Sequence, residues 1–306
     1  MRAATFFFLA FVGVCSGFVV LPPATTTITP CASSHPTTAL HAVDRRGFVV
    51  SGIAGIASTI FADPSFASDN DSKKVLVLGG TGMVGSEVVK VLQGLGFNVL
   101  ATSTDGRDGT VALDFRQEPK DLAAQVEALA QGCTAVISTV GVIGTENDEM
   151  VNRGSGIAAS AAKKAGVSRF SYISVAPEVR EFGEGFDFLQ SYMQGKAFSE
   201  ASIQDEFGSS ASYTLIEPTF IYGGDKFALN PPRVASGYGQ LIETLLSSAP
   251  FRAATNIAPE GFIKIALEPP VSASSVAKAA VAGALGKSSV AVLDTYDKII
   301  EASKLV

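Results

Sequence analysis

The chain has 306 residues, 47% of them hydrophobic, with 23 basic against 29 acidic side chains and a net charge of −6. That length and apolar content suffice for a sizeable core, and the acidic balance is a poor match for a polyphosphate partner, which argues against nucleic-acid binding. Three cysteines and two histidines leave little material for thiolate or imidazole chemistry.

The first 67 residues read as addressing rather than fold. Residues 1–17 carry Arg2, an apolar run from Ala3 to Val14 and then Cys15, Ser16 and Gly17, a secretory signal pattern too short to span a bilayer comfortably. Residues 18–44 are transit-like: no acidic side chain occurs from Phe18 to Val43, and Thr, Ser, Pro and Ala dominate. A signal with Phe just after the cut, followed by such a segment, resembles the bipartite plastid leader of algae with secondary plastids. Residues 45–67 open on Arg45-Arg46, continue through an apolar stretch to Phe61 and end in Ser65-Phe66-Ala67, which resembles a twin-arginine signal into the thylakoid lumen. An uncleaved stromal helix lying against a membrane is the other reading. The expected address is therefore the thylakoid lumen or thylakoid surface of a plastid, with the stroma as alternative.

Without this leader, 239 residues remain, with 20 basic and 27 acidic side chains, net −7. Both histidines (His35, His41) and two cysteines (Cys15, Cys31) go with it, leaving Cys133 alone. A Ser-His-Asp triad, an internal disulfide and a thiolate zinc site are all excluded for the remainder, and no carboxylate spacing suggests a metal. Chemistry has to come from Ser, Tyr, Lys, Asp, Glu or a cofactor. Cys133 reads as a small core residue at the start of a strand.

Residues 68–306 read as one domain, entered by a polar tether over 68–73. Val75–Leu78 is a four-residue apolar run that meets Gly79-Gly80-Thr81-Gly82-Met83-Val84-Gly85, and a helical pattern from Ser86 to Gln93 follows. This is a strand turning into a helix whose N-terminus faces a dinucleotide pyrophosphate. Gly79 permits the tight turn, Gly82 lets the backbone approach the phosphates and Gly85 packs the helix on the strand. Strands are then expected at Asn98–Thr102, Val111–Leu113, Ala135–Val140, Phe170–Ile173 and Tyr213–Ile216. Helices are expected at Leu122–Ala130, Met150–Gly166 and Tyr192–Glu206. This alternation predicts an α/β fold, a doubly wound parallel sheet. Prolines break the regularity over residues 219–272, read as a small C-terminal substrate lobe; a helix Ala273–Leu285, a strand Val290–Leu293 and a helix Tyr296–Leu305 close the chain.

Tyr192 and Lys196 stand four apart and share a helix face. An ammonium beside a phenol favours the phenolate, and the same Lys could hold ribose hydroxyls. A solvated Tyr and Lys is the plainer reading; the placement after strand five, beside the strand ends where ligands bind in such sheets, favours the functional one.

With these pieces the chain resembles the extended or atypical branch of the short-chain dehydrogenase/reductase superfamily. The matching residues are Gly79, Gly82 and Gly85, Asp114, Ser138-Thr139-Val140-Gly141, Asn152, Tyr172-Ile173-Ser174, Tyr192 and Lys196 with Glu200, and Pro218 to Gly223. More narrowly it is similar to plastid plastoglobule and mitochondrial quinone-biosynthesis members related to the nucleotide-holding accessory subunit of respiratory complex I. The resemblance implies that Gly79, Thr81, Gly82, Met83, Val84, Gly85, Thr104, Arg107, Asp114, Thr139, Gly141 and Lys196 bind an NAD(P) coenzyme. It further implies that Ser174 orients a substrate carbonyl, Tyr192 donates or accepts the proton and Lys196 lowers its pKa. Ser174 as a strand-end turn residue, and Asn152 as a cap or packing residue, remain open. Glu217 departs from the pattern, standing where an Arg commonly precedes Pro, which disfavours anionic substrates. A second departure is the short interval from Ser174 to Tyr192, where Gly183 to Gly185 suggest a mobile loop.

After the second strand, Thr102-Ser103-Thr104 are followed by Asp105 and Arg107, which favours NADP while leaving NAD open; Asp105-Gly106 as a simple turn is the alternative. In the lobe, Leu241, Ile242, Leu245, Leu246, Phe251, Phe262 and Ile265 offer apolar surface that suits a small hydrophobic substrate, a quinone, isoprenoid or carbonyl compound. The expected function is an NAD(P)-dependent oxidoreductase. The alternative is a non-catalytic nucleotide-binding protein of a thylakoid or quinone-biosynthesis complex, with peripheral thylakoid or plastoglobule association.

Overall fold

A computed structural model describes residues 73–306 except 210, 225–227, 230–231 and 260. The three leader segments, and the tether apart from Lys73, lie outside the described residues.

The chain alternates strand and helix as its hydrophobic pattern requires. β1 (Lys74–Leu78) leads through the glycine turn into α1 (Met83–Gly94). Then come β2 (Asn98–Ser103), β3 (Val111–Ala112), α2 (Pro119–Ala130), β4 (Cys133–Ser138), α3 (Asp148–Lys164) and β5 (Arg169–Ile173). Two helices, α4 (Pro177–Gly183) and α5 (Asp187–Phe207), precede β6 (Tyr213–Ile216). Seven strands form one parallel sheet in the order β11-β6-β5-β4-β1-β2-β3, where β11 is Val292–Leu293. The order reverses between β1 and β4, and that switch point opens a crevice at the carboxyl ends of the strands.

β1 shows why the layers assemble. Its four apolar residues are fully buried; successive side chains face opposite sides. Val75 and Val77 pack with Val84, Val88 and Leu92 of α1, whereas Leu76 and Leu78 pack with Leu122 of α2, Val151 of α3 and Ile203 of α5. Cys133 starts β4 and is buried, as read from the sequence.

The segment between β5 and Tyr192 differs from expectation. Pro177 at the first turn starts α4, which runs to Gly183, so of the expected loop about Gly183–Gly185 only a short turn over residues 184–186 remains. Gly183 is buried there under the Met193 side chain, whose Cε would lie 2.7 Å from an added Cβ. α5 begins at Asp187, so Tyr192 lies in its second turn rather than at its start.

The lobe follows β6. β7 (Ile221–Tyr222) pairs with β10 (Val271–Ser272), and β8 (Ala228–Leu229) with β9 (Pro232–Arg233). α6 (Ser236–Leu246), α7 (Ala249–Ile257) and α8 (Phe262–Leu267) lie between them. α9 (Ala273–Ala284), capped by Ser272 Oγ, returns to the sheet, and α10 (Tyr296–Ser303), capped by Thr295 Oγ1, follows β11. Glu243 of α6 accepts from Tyr222 and, at 3.0 Å, from Tyr296 of α10. Arg252 of α7 binds Glu268 at 3.1 Å and Asp297 at 2.6 Å. Among the described residues no helix is long and apolar enough to cross a membrane, and no acidic, Cys and His group could hold a metal ion.

Candidate active site

The turn after β1 is built around missing side chains. Gly79 has φ +81°, a left-handed conformation. A Cβ on Gly85 would lie 2.1 Å from Gly79 O, so only glycine lets α1 approach this closely. Gly82 N donates to Gly79 O at 3.0 Å, and Thr139 Oγ1 donates to Leu78 O and Gly79 O at 3.0 and 3.1 Å, bracing the turn from β4. α1 has neither a side-chain cap nor an acidic residue in its first turn. Its first N–H groups, those of Met83 and Val84 included, therefore have no intrahelical acceptor and favour an anion. Gly80, which sequence reasoning passed over, is as constrained, since its Cβ would meet Ala101 Cβ at 2.7 Å.

A cavity of about 520 Å³ opens at this turn, a size suited to a small-molecule ligand. Gly79, Thr81, Gly82, Thr104, Arg107, Asp114, Thr139 and Gly141 line it; Met83, Val84, Gly85 and Lys196 do not. Val84 and Gly85 are buried in the packing of α1 and act through the backbone. A glycine cradle, an uncapped helix start and a cavity between them fit a dinucleotide diphosphate.

At the far end of the cavity, Ser103 Oγ accepts from Gly106 N at 3.0 Å, and Gly106 has φ +75°, so Asp105-Gly106 does form a turn. Within it Arg107 Nε lies 3.4 Å from Asp105, both charges well exposed. Asp114 is held by Arg116, with Nε to Oδ1 at 2.9 Å and Nη2 to Oδ2 at 2.8 Å, and this fork keeps its carboxyl below the usual range. Arg116 also lines the cavity and was missed in the sequence, where Asp-x-Arg after β3 was the available signal.

The second half of the crevice lies over β4, β5 and β6. Lys196 of α5 is buried; its Nζ donates to Ile173 O at 2.9 Å and approaches Val140 O at 3.4 Å. A Cβ on Gly141 would stand 3.1 Å from this Nζ, which makes Gly141 the point where cavity and lysine meet. Gly195 lets α5 press on α3, since a Cβ there would come within 2.7 Å of Asn152 Cβ. Asn152 Nδ2 donates to Val142 O and Asp148 O at 2.8 and 2.7 Å, leaving Oδ1 buried and unpaired. Its amide thus ties α3 to the loop after β4.

The electrostatics correct one expectation. Tyr192 shares a face with Lys196, whose Nζ is 5.7 Å from the phenol ring centroid. Yet burial, with Asp148 and Glu200 nearby, raises the phenol well above its ordinary value, and the cation that opposes this is Arg180. Burial pulls Lys196 down to about 7. A lysine only partly charged at neutral pH does little to lower its neighbour. Ser174 is also engaged: its hydroxyl donates to Glu200 Oε1, which accepts from Arg180 Nη2 as well. The hydrogen expected to meet a substrate carbonyl points instead at a buried carboxylate. Neither Arg180 nor this triangle was read from the sequence.

Beside Tyr192, Val175, Leu189 and Met193 form a small apolar cluster joined by Ile143, Phe186 and Phe188. This wall comes from α5 and from the loops after β4 and β5 and before α5, not from the lobe. Of the lobe residues proposed, Leu246 and Ile265 are core, Leu241 and Leu245 are exposed, Ile242 and Phe251 are half-buried, and the side chain of Phe262 lies outside the described residues.

Residues 79–232 match the family described as NAD(P)H-binding. The chain belongs to that family. An uncharacterised chloroplastic protein of Arabidopsis thaliana is 31% identical over 188 residues, 56% of this chain and 59% of the relative. The chain thus spans under two thirds of that relative's length. Among solved structures, an oxidoreductase from Lactococcus lactis aligns at 26% identity and a TM-score of 0.40, over 51% of this chain and 72% of that one. A dTDP-4-dehydrorhamnose reductase of Clostridium acetobutylicum aligns at 17% identity and a TM-score of 0.47, over 76% and 79% of the two chains.

Proposed function

We propose that this family member is an NAD(P)-dependent oxidoreductase of the short-chain dehydrogenase/reductase type that reduces a hydrophobic carbonyl, quinone or isoprenoid compound in the plastid. The observation that carries the reading is the meeting of two sites: Lys196, whose Nζ lies 5.7 Å from the Tyr192 ring centroid, reaches the ends of β4 and β5, where the glycine-turn cavity ends at Gly141. When bound, the coenzyme supplies the hydride. Tyr192, held protonated by burial, donates a proton to the substrate oxygen rather than acting as a base. Lys196, poised near 7, exchanges protons readily at neutral pH and restores the phenol. The apolar wall about Met193 and Phe186 favours an uncharged substrate, and the chloroplastic relative supports a plastid address, thylakoid or stroma. NADP is the preferred coenzyme, because Arg107 and Arg116 both line the adenosine end.

The test is Tyr192→Phe assayed for coenzyme oxidation with hydrophobic carbonyl and quinone acceptors. Turnover is lost while coenzyme still binds; a variant as active as the parent rules the reading out. The engagement of Ser174 by Glu200 favours a second reading, a nucleotide-holding assembly protein without turnover. Tight coenzyme binding, no hydride transfer to any acceptor and co-purification with a large complex identify that case.

A further inference from the structure

Lys196 is buried, yet among the described residues its Nζ is surrounded by carbonyls and rings rather than by an ion-pair partner. Ile173 O stands 2.9 Å away and Val140 O 3.4 Å, while the Tyr172 and Tyr192 ring centroids lie at 4.7 and 5.7 Å. β5 supplies two of these four neighbours from adjacent residues, because successive side chains of a strand face opposite sides. Tyr172 packs toward α5, with Ile203 and Phe207. Ile173 turns its side chain to the α1–α9 layer and offers Lys196 only its carbonyl. The Tyr172 hydroxyl is buried and unpaired. Ser155 and Ser199 lie beside it but are engaged elsewhere: Ser155 Oγ pairs with Ser138 Oγ at 2.8 Å, and Ser199 Oγ donates to Asn152 O at 2.6 Å. What Tyr172 offers Lys196 is therefore its ring face. Such a face carries partial negative charge and attracts a cation within about 6 Å, most strongly where water is excluded.

We propose that Tyr172 is a positioning residue for Lys196: its ring face holds the ammonium against the end of β5, beside Gly141 where the glycine-turn cavity ends. Its part in turnover rests on the oxidoreductase reading above; its grip on Lys196 does not. The nearby charges do not do the same work. Glu200 of α5 favours the cation but is held by Ser174 and Arg180, and Arg180 of α4 opposes it. Asp148 of α3 acts on Tyr192. Burial strips the ammonium of water, and a π face offsets part of that loss without bringing a second charge into the core. Two carbonyls take two of the three N–H groups of Lys196. The third is left for a group bound at Gly141, where an added Cβ would stand 3.1 Å from Nζ.

The test varies the charge of the ring face and not its size. Tyr172→Phe, and phenylalanines with one, two and three ring fluorines placed at the same position, present faces of nearly equal area and falling negative charge. Carbon-13 at the lysine ε position of the whole protein reports Lys196, its signal assigned by its loss in Lys196→Arg. In the unaltered protein that signal lies upfield of the other lysines, because Nζ sits over a ring, and it titrates near 7. Tyr172→Phe leaves the midpoint in place, and the midpoint then falls with each fluorine, by about one unit over the series. Core packing alone does not follow the fluorine count. An ε signal with no upfield displacement in the unaltered protein overturns the inference, as does a midpoint that ignores fluorination. A shift in Tyr172→Phe as large as that of the trifluorinated ring overturns it too, since the hydroxyl is then the tie. If the midpoint follows fluorination in a protein that turns over no acceptor, Tyr172 stands as the holder of Lys196 and the oxidoreductase reading falls.

Discussion

Glu217 shows how a single side chain sets a pH dependence. Its folded-state value, near 7, stands above the ordinary 4.5, so between those values the folded chain holds a proton that the unfolded chain has lost. Stability at this residue is full below pH 4.5 and falls as pH rises toward 7, by on the order of 3 kcal/mol. Glu217→Gln, which never ionises, should therefore match the parent in acid and melt progressively higher than it as pH rises to 7; parallel curves from thermal scans would refute the assignment. At the opposite end of the crevice Arg107 is the residue to vary. Arg107→Ala should weaken NADP about tenfold and leave NAD nearly unchanged, as expected for loss of one charge-assisted contact to the extra phosphate; calorimetry with both coenzymes measures it.

Elements differ in how plainly the sequence announces them. The turn from β1 to α1 was legible because an apolar run, a positive-φ glycine and a close-packing glycine come in strict order, and each has one use. Gly85→Ala puts a Cβ 2.1 Å from Gly79 O; it should cost about 1–3 kcal/mol in urea denaturation and lower coenzyme affinity at least tenfold. β6 was read to the residue at Tyr213–Ile216. By contrast α4 was hidden, because Gly183 and Gly185 look like loop, and the Met193 side chain that covers Gly183 lies on another element. The Ser174–Glu200–Arg180 triangle was illegible on the same ground, its members being brought together by three elements. Tyr192 and Lys196 were found by spacing, but their protonation was not, since burial rather than neighbouring charge dominates both.

At the scale of the whole molecule, side-chain bridges tie the lobe to the last helix. Arg252 bridges Glu268 and Asp297, and Glu243 joins Tyr222 to Tyr296. Arg252→Ala leaves Glu268, 9% exposed, without its cation; the expected loss is about 3 kcal/mol, seen as a lowered urea midpoint with coenzyme affinity retained. The parallel sheet itself ends on β11, whose Leu293 O accepts the N–H of Glu217 at 2.9 Å. During synthesis β6 must wait for residues 292–293 to emerge from the ribosome, long after the coenzyme cradle is complete. Until then its outer row of amide groups is an open template for another nascent chain, and a message truncated upstream of that strand would yield product prone to aggregate rather than a smaller folded protein.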